Sequence, residues 1–276
     1  MKYWLFTVIF LALAFPGQSM QKTVADPIVV LSETLSIYPL EKDVYRIVHR
    51  FPWSANSLLI RFSQEEFLLV DTPWENTATE LLHKWILELE PLAQLTVINT
   101  HFHRDNLGGN DYLVRAGIPV YGSTKTIELL ADTQGSGDRS SWMNNPEYEE
   151  FYQVFELTPL VAPTQTFVLE DGLELEIANQ TIQIFWPGPG HTYDNVVVYF
   201  PDKKLLFGGC LIKALESQNP GNLRDAFPEL WPGSIQKVMK KYPETHLVIP
   251  GHGAPGGPEL LPHTIAVITQ FLEDRK

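Results

Sequence analysis

Three side chains that bind metal ions well recur at alternate positions in Thr100-His101-Phe102-His103-Arg104-Asp105-Asn106-Leu107-Gly108-Gly109. Imidazole nitrogen and carboxylate oxygen are both accepted by zinc. Alternation along an extended strand exit sends His101, His103 and Asp105 to one side. The two glycines that follow let the backbone turn tightly beside an ion. Alone, such a triplet also fits a solvated strand end, but two later segments each offer another histidine in a turn rich in glycine and proline. They read Trp186-Pro187-Gly188-Pro189-Gly190-His191-Thr192 and Ile249-Pro250-Gly251-His252-Gly253. Proline rings and glycines fix bends that aim His191 and His252 outward. Between them, Leu205 to Phe207 reads as a strand running into Gly208-Gly209-Cys210, the one cysteine of the chain. As a thiolate it too is a zinc ligand. Six candidate donors thus leave four strand ends.

The elements that must position them are legible from periodicity. Residues 28 to 62 read as successive antiparallel strands, with breaks at Asp43, at Ser54 to Asn56 and at Ser63 to Glu66. Phe67 to Val70 is a short buried strand. Leu81, Leu82, Trp85, Ile86 and Leu89 then recur at helical spacing before a second strand, Leu95 to Asn99. Such strand-helix-strand units place ligand sites at the carboxyl ends of their strands, where Asp71 and the His101 segment lie. Thr181 to Phe185 and His246 to Ile249 are the strands that precede His191 and His252. The stretch from Ala131 to Gln165 opens with a polar loop, continues through a predicted helix from Pro146 to Leu157, and leaves through prolines. With no repeat, low-complexity run or long linker, one compact α/β domain is the simplest organisation.

The 276 residues begin Met1-Lys2, followed by an apolar run from Tyr3 to Phe15 and then Pro16, Gly17, Gln18 and Ser19. This reads as a signal peptide over residues 1–19, with cleavage between Ser19 and Ala25 and a single domain over 26–276. The exported, periplasmic protein is expected to be a monomer without a membrane segment. A net charge of −13 argues against nucleic acid and anionic membranes as partners. Export normally brings disulfides, yet a lone Cys210 has no intramolecular partner, so the thiol calls for another use. Ser234-Ile235-Gln236-Lys237 has the S-x-x-K spacing of serine-dependent lactam hydrolases, but neither S-D-N nor K-T-G accompanies it and it reads as a helix face.

From about Phe51 to the C-terminus the chain resembles the metallo-β-lactamases, specifically the subclass whose second zinc is held by Asp, Cys and His. The resemblance implies a four-layered αβ/βα sandwich carrying two zinc ions at one sheet edge. It implies His101, His103 and His191 as ligands of the first zinc and Asp105, Cys210 and His252 as ligands of the second. Chemistry supports that division. Three neutral imidazoles leave a zinc acidic enough to lower the pKa of its water from 15.7 toward ~7, while a carboxylate and a thiolate make the other ion softer. The implied activity is zinc-dependent hydrolysis of the β-lactam amide in penicillins, cephalosporins and carbapenems, with Asp105 and Asn222 in catalytic roles. Lys213, three residues beyond Cys210, matches the family's carboxylate-binding lysine, and Asn222 its substrate-contacting asparagine. Asp71 matches a buried aspartate beneath the metals that orients ligands. Trp74 is expected on the pocket floor, and Trp53, with Phe51 and Pro52, in an apolar flap over the groove.

Two other readings use the same residues. A glyoxalase- or lactonase-type hydrolase of the same fold extends H-x-H-x-D by a further histidine and bridges its metals with an aspartate, where this chain has Asn106 and Cys210. A zinc-scavenging protein favours closed coordination and has no need of Lys213 or Asn222. His49, His83, His246 and His263 lie outside the glycine-framed exits and are left out of the metal site, and no role is assigned to Arg104 or Asn106.

Overall fold

The computed structural model describes residues 27–133 and 159–276. The signal peptide and the helix expected at Pro146 to Leu157 lie outside those residues. Short apolar runs, buried on both faces in strands such as β4, β5 and β12, build two sheets. The first contains β1 (Val29–Val30), β2 (Leu35–Glu41), β3 (Val44–Arg50), β4 (Ser54–Arg61), β5 (Glu66–Val70), β6 (Gln94–Ile98), β7 (Val120–Ser123) and β8 (Gln165–Phe167) in that spatial order. Its first five strands pair antiparallel and β5 through β8 pair parallel. Helix α1 (Asn76–Leu89) joins β5 to β6, α2 (Arg104–Leu107) and α3 (Asn110–Arg115) lead to β7, and α4 (Thr124–Thr133) follows it. The second sheet has β9 (Leu173–Ile177), β10 (Gln180–Phe185), β11 (Val197–Phe200), β12 (Leu205–Gly209) and β13 (Leu247–Pro250) side by side. Helices α5 (Trp231–Lys241) and α6 (Leu260–Glu273) flank β13 in sequence.

The period of two decides which layer each residue joins. Leu58, Ile60, Leu68 and Val70 face Val196, Val198, Leu205 and Phe207 in the core between the sheets. Their neighbours Leu59, Phe67 and Leu69 turn the other way, onto Ala78, Leu82 and Ile86 of α1 and Leu113 of α3. In the second sheet Val197, Tyr199 and Leu206 pack on Trp231, Ile235 and Val238 of α5 and Ile268 of α6. Helix, sheet, sheet, helix is the four-layered sandwich expected. No helix among the described residues is long and apolar enough to cross a membrane.

Two local expectations are corrected. Ser54 to Asn56 begin β4 instead of breaking the chain, and the connection from β3 is Phe51-Pro52-Trp53. Both Ala55 and Asn56 are buried against neighbours, so their small and polar side chains serve packing instead of a turn. The polar loop read from Ala131 onward starts later, since α4 continues through Thr133.

Candidate metal centre

All four loops named from sequence meet at one edge of the sandwich, each leaving the carboxyl end of a strand: β6, β10, β12 or β13. The segment after β6 does not continue as a strand. Asn99 to His103 bend, and Asp105 sits on α2, a single helical turn. The three side chains still converge, but the alternation argument is replaced by a turn whose backbone is pinned: Thr72 N–H donates to Asn106 O at 2.9 Å and Val196 N–H to Thr100 O at 3.0 Å.

The ligand-capable atoms of His101, His103 and His191 lie within 4.8 Å of one another, as do those of His101, Asp105 and Cys210. His103 Nδ1 is 3.1 Å from His191 Nε2. Cys210 Sγ is 3.4 Å from Asp105 Oδ2 and 3.4 Å from His252 Nε2. Asp105 Oδ2 lies 3.1 Å from His252 Nε2. A tetrahedral zinc with bonds of about 2.0–2.3 Å separates its ligands by about 3.3–3.7 Å, so most of the second donor set is already at or just inside that spacing.

Hydrogen bonds turn the donors inward. Thr100 Oγ1 donates to Asp71 Oδ2 at 2.8 Å and Thr100 N–H to Asp71 Oδ1 at 2.7 Å. With its own proton so committed, Thr100 Oγ1 accepts from His101 Nδ1 at 3.2 Å, which makes His101 Nε2 the unprotonated nitrogen of the ring. His103 Nε2 meets Asp225 Oδ2 at 2.9 Å, a carboxylate behind a histidine that frees Nδ1 in the same way. His252 Nδ1 donates to Ser54 O at 2.7 Å. Asn106, only 1 % exposed, donates to Asp105 Oδ1 at 2.8 Å and leaves Oδ2 for the site; the same amide nitrogen lies 3.0 Å from His101 Nε2.

Burial drives the electrostatics. It pushes the imidazoles of His101 and His191 well below their ordinary pKa, so both are neutral and able to donate a lone pair. His103 feels the same burial, but its bond to Asp225 and the nearby carboxylates turn its pKa upward. Asp105 is likewise opposed by burial, yet the hydrogen bond and charge of His252 hold it below the usual carboxylate range. Burial raises the Cys210 thiol far above its ordinary value, and the charge of Asp105 adds to the shift. A buried thiol beside a carboxylate ionises only when a cation joins them, and coordination to a metal supplies one. The donors present therefore fit a metal ion.

Glycines set the closeness of these strand ends. At Gly209, with φ of 52°, the register of β12 against β13 shifts and delivers Cys210 into the site. A Cβ on Gly251 would fall 2.6 Å from both Cys210 N and Cys210 Sγ, so only glycine lets the His252 loop pass so near the thiol. The His191 loop is locked by its own side chains: Thr192 N–H donates to Asn195 Oδ1 at 2.9 Å and Asn195 Nδ2 to Gly188 O at 3.0 Å. From α5, Ser234 Oγ donates to Pro189 O at 2.7 Å, which agrees with the helix-face reading of Ser234 to Lys237.

Lys213 is 9 % exposed, with Nζ 5.1 Å from the Trp231 ring centroid. Burial lowers its pKa, and Cys210 and Asp105 work in the opposite direction. With His252, Glu216 and Asn219 it lines a cavity of about 410 Å³ beside the donors. Asn222 is exposed and its Oδ1 accepts the Arg224 N–H at 3.1 Å. Asp71 is fully buried and reaches His101 only through Thr100. Trp74 is 4 % exposed and meets Trp53, 37 % exposed, edge to face at 5.1 Å. His49, His83, His246 and His263 belong to neither donor group. Sequence reasoning passed over Asp225 and Asn106. Asp225 lies three residues after Asn222, an offset with no metal signature, and Asn106 was visible only as the residue after Asp105 that stands where related hydrolases carry a further histidine.

A two-sheet sandwich with imidazole, carboxylate and thiolate donors gathered at its strand exits is the architecture of a metal-dependent hydrolase. Residues 50–252 match the metallo-beta-lactamase superfamily, and the chain belongs to that family. It is 31 % identical over 271 residues to a metallo-beta-lactamase type 2 of Bacteroides fragilis, covering 96 % of each chain. It is 35 % identical over 208 residues to one of Pseudomonas aeruginosa, covering 75 % of this chain and 72 % of the relative. Among solved structures, a metallo-beta-lactamase from Pontibacter korlensis matches with a TM-score of 0.66 at 30 % identity, covering 88 % of this chain and 98 % of the other.

Proposed function

We propose that the protein opens β-lactam rings with two zinc ions, one held by His101, His103 and His191 and the other by Asp105, Cys210 and His252. The observation that carries the reading is the convergence of these donors, with a buried thiol 3.4 Å from both a carboxylate oxygen and an imidazole nitrogen. The relatives named metallo-beta-lactamase, at 31 % and 35 % identity, support the substrate class. When bound, the metals supply an ionised water near neutral pH and stabilise the charge that develops on the lactam oxygen and nitrogen.

The chain's own residues bind and orient. Asp71 acts through Thr100, and Asp225 directly, to hold the His101 and His103 rings in the tautomers that donate inward. Asp105 would hold the second metal through Oδ2 while Asn106 steadies Oδ1, and its catalytic part is to keep that metal where it can stabilise the leaving nitrogen. Lys213 pairs with the carboxylate that β-lactams carry, and its burial strengthens that pairing. Asn222, whose Oδ1 accepts the Arg224 N–H, turns its NH₂ donor to the lactam carbonyl. Trp53 and Trp74 form the apolar side of the groove, where the Phe51–Trp53 connection covers substrate. Carbapenems fall within the substrate range, and the mature protein works as a periplasmic monomer.

Hydrolysis of a chromogenic cephalosporin and of a carbapenem by purified protein, with zinc added and then removed by a chelator, tests this. Turnover lost on chelation and restored by zinc is the expected result. No turnover of either substrate with zinc bound overturns the reading, and turnover of the cephalosporin alone removes carbapenems from it.

A further inference from the structure

The loop from Pro250 to Ala254 carries His252, and its backbone is held from two sides. On one side stands Asn56 of β4, 1 % exposed. Its backbone N–H donates to Gly251 O at 2.8 Å, and its side-chain Nδ2 donates to Pro250 O at 2.7 Å and to Gly253 O at 2.9 Å. On the other side Glu216 Oε1 accepts the Ala254 N–H at 2.7 Å. Ser54, two residues before Asn56, accepts from His252 Nδ1. One short stretch of β4 therefore sets both the path of the loop and the rotation of the ring.

An amide does this only if its NH₂ faces the two carbonyls. Turned over, it sets oxygen against oxygen at both contacts, although its shape is unchanged. Arg46 of β3 enforces the same orientation from the other end of the amide: its Nε donates to Asn56 Oδ1 at 2.8 Å. A guanidinium has donors and no acceptor, so it pairs with the oxygen of the amide and never with its nitrogen. Arg46 is itself braced: its guanidinium lies 5.6 Å from the Tyr38 ring centroid. Partial burial works against its charge, while Tyr38 and Glu216 work in its favour.

We propose that Arg46 is a positioning residue for the Asp105–Cys210–His252 site, acting through the amide of Asn56 to hold the His252 loop where the ring meets the thiol and the carboxylate. The inference rests on the two-metal reading above. Arg46 has no place in the donor groups and is linked to the His252 loop through Asn56, from a strand that contributes no ligand.

Titration of metal-free protein with Co(II) reads this without substrate, because thiolate-to-cobalt charge-transfer absorption reports the Cys210 site and ligand-field bands report total occupancy. Arg46→Ala is expected to weaken binding at the thiolate-bearing site by about tenfold and leave the three-histidine site within about twofold of wild type. Arg46→Lys, whose ammonium also has only donors, recovers most of the loss. Asn56→Asp keeps an acceptor for Arg46 but offers no donor to Pro250 O and Gly253 O, and weakens the thiolate site at least as much as Arg46→Ala. If Arg46→Ala does not fold, Arg46→Lys and Asn56→Asp carry the same comparison. Arg46→Ala titrating like wild type, equal losses at both sites, or a lysine variant no better than alanine overturns the proposal. A wild-type protein without thiolate absorption overturns the two-metal reading itself.

Discussion

At the scale of single residues, the rings and the thiol depend on partners one bond further out. Asp225 meets His103 Nε2 at 2.9 Å, so Asp225→Asn keeps the shape but removes the charge that orients the ring. Metal affinity at the three-histidine site is expected to fall by about ten- to a hundredfold, read by competition with a chromophoric chelator. An unchanged affinity removes Asp225 from the site. Lys213 is the nearby cation lining the cavity beside the donors. In Lys213→Ala, KM for carboxylate-bearing lactams is expected to rise by about ten- to a hundredfold with kcat changed little, the worth of one charged hydrogen bond. Equal KM values in variant and wild type place the carboxylate elsewhere. The six donors were legible because histidine, aspartate and cysteine stand out in turns of glycine and proline. Asp225 and Asn106 were not, because a carboxylate or amide that serves another side chain has no spacing of its own.

At the scale of elements, the site depends on how closely neighbouring strand ends approach. Strands β12 and β13 run parallel, and their exits lie so near that Gly251 N–H donates to Gly209 O at 2.7 Å. Gly251→Ala puts a methyl group 2.6 Å from Cys210 N and Sγ. The strain of such overpacking is about 1–3 kcal/mol, expected as a lower urea midpoint together with loss of the thiolate–cobalt absorption. A variant of wild-type stability that retains the absorption means the loop passes Cys210 by another path. Helix positions were readable from the 3.6 period and strands from short apolar runs bounded by turn residues, because strands such as β5 and β12 are buried on both faces. The start of β4 was misread for a physical reason: serine, alanine and asparagine resemble a turn in composition, but here the strand's polar groups are consumed by its neighbours. Asn56 alone makes three bonds to the loop after β13.

At the scale of the whole molecule, burial of neutral histidine ties stability to pH. His49 is 2 % exposed, accepts the Trp74 N–H at Nδ1, and has its pKa lowered by burial from 6.5 to about 4. The unfolded chain binds a proton at His49 below pH 6.5 while the folded chain stays neutral until about pH 4, so stability falls as pH falls through that window and is unaffected above it. By pH 5 the contribution lost is about 2 kcal/mol relative to pH 7. Urea unfolding of metal-free protein at both pH values is expected to show this loss reduced by about that amount in His49→Gln. The same loss in both proteins assigns the acid sensitivity to other groups.

The sequence by itself determined the donor types and the strand exits that carry them, because ligand chemistry and hydrophobic patterning are local properties of the chain; the four-layered sandwich and the family were legible through the resemblance that those motifs carry. Tertiary structure alone decided how donors from β6, β10, β12 and β13, up to about 150 residues apart, reach contact distance. It also decided which oxygen of Asp105 faces the site, which nitrogen of His101, His103 and His252 turns toward the other donors, and that a strand without a ligand reaches the His252 loop through Asn56. Those are matters of relative placement and of which hydrogen bonds remain unfilled, and both arise only once the two sheets are packed together.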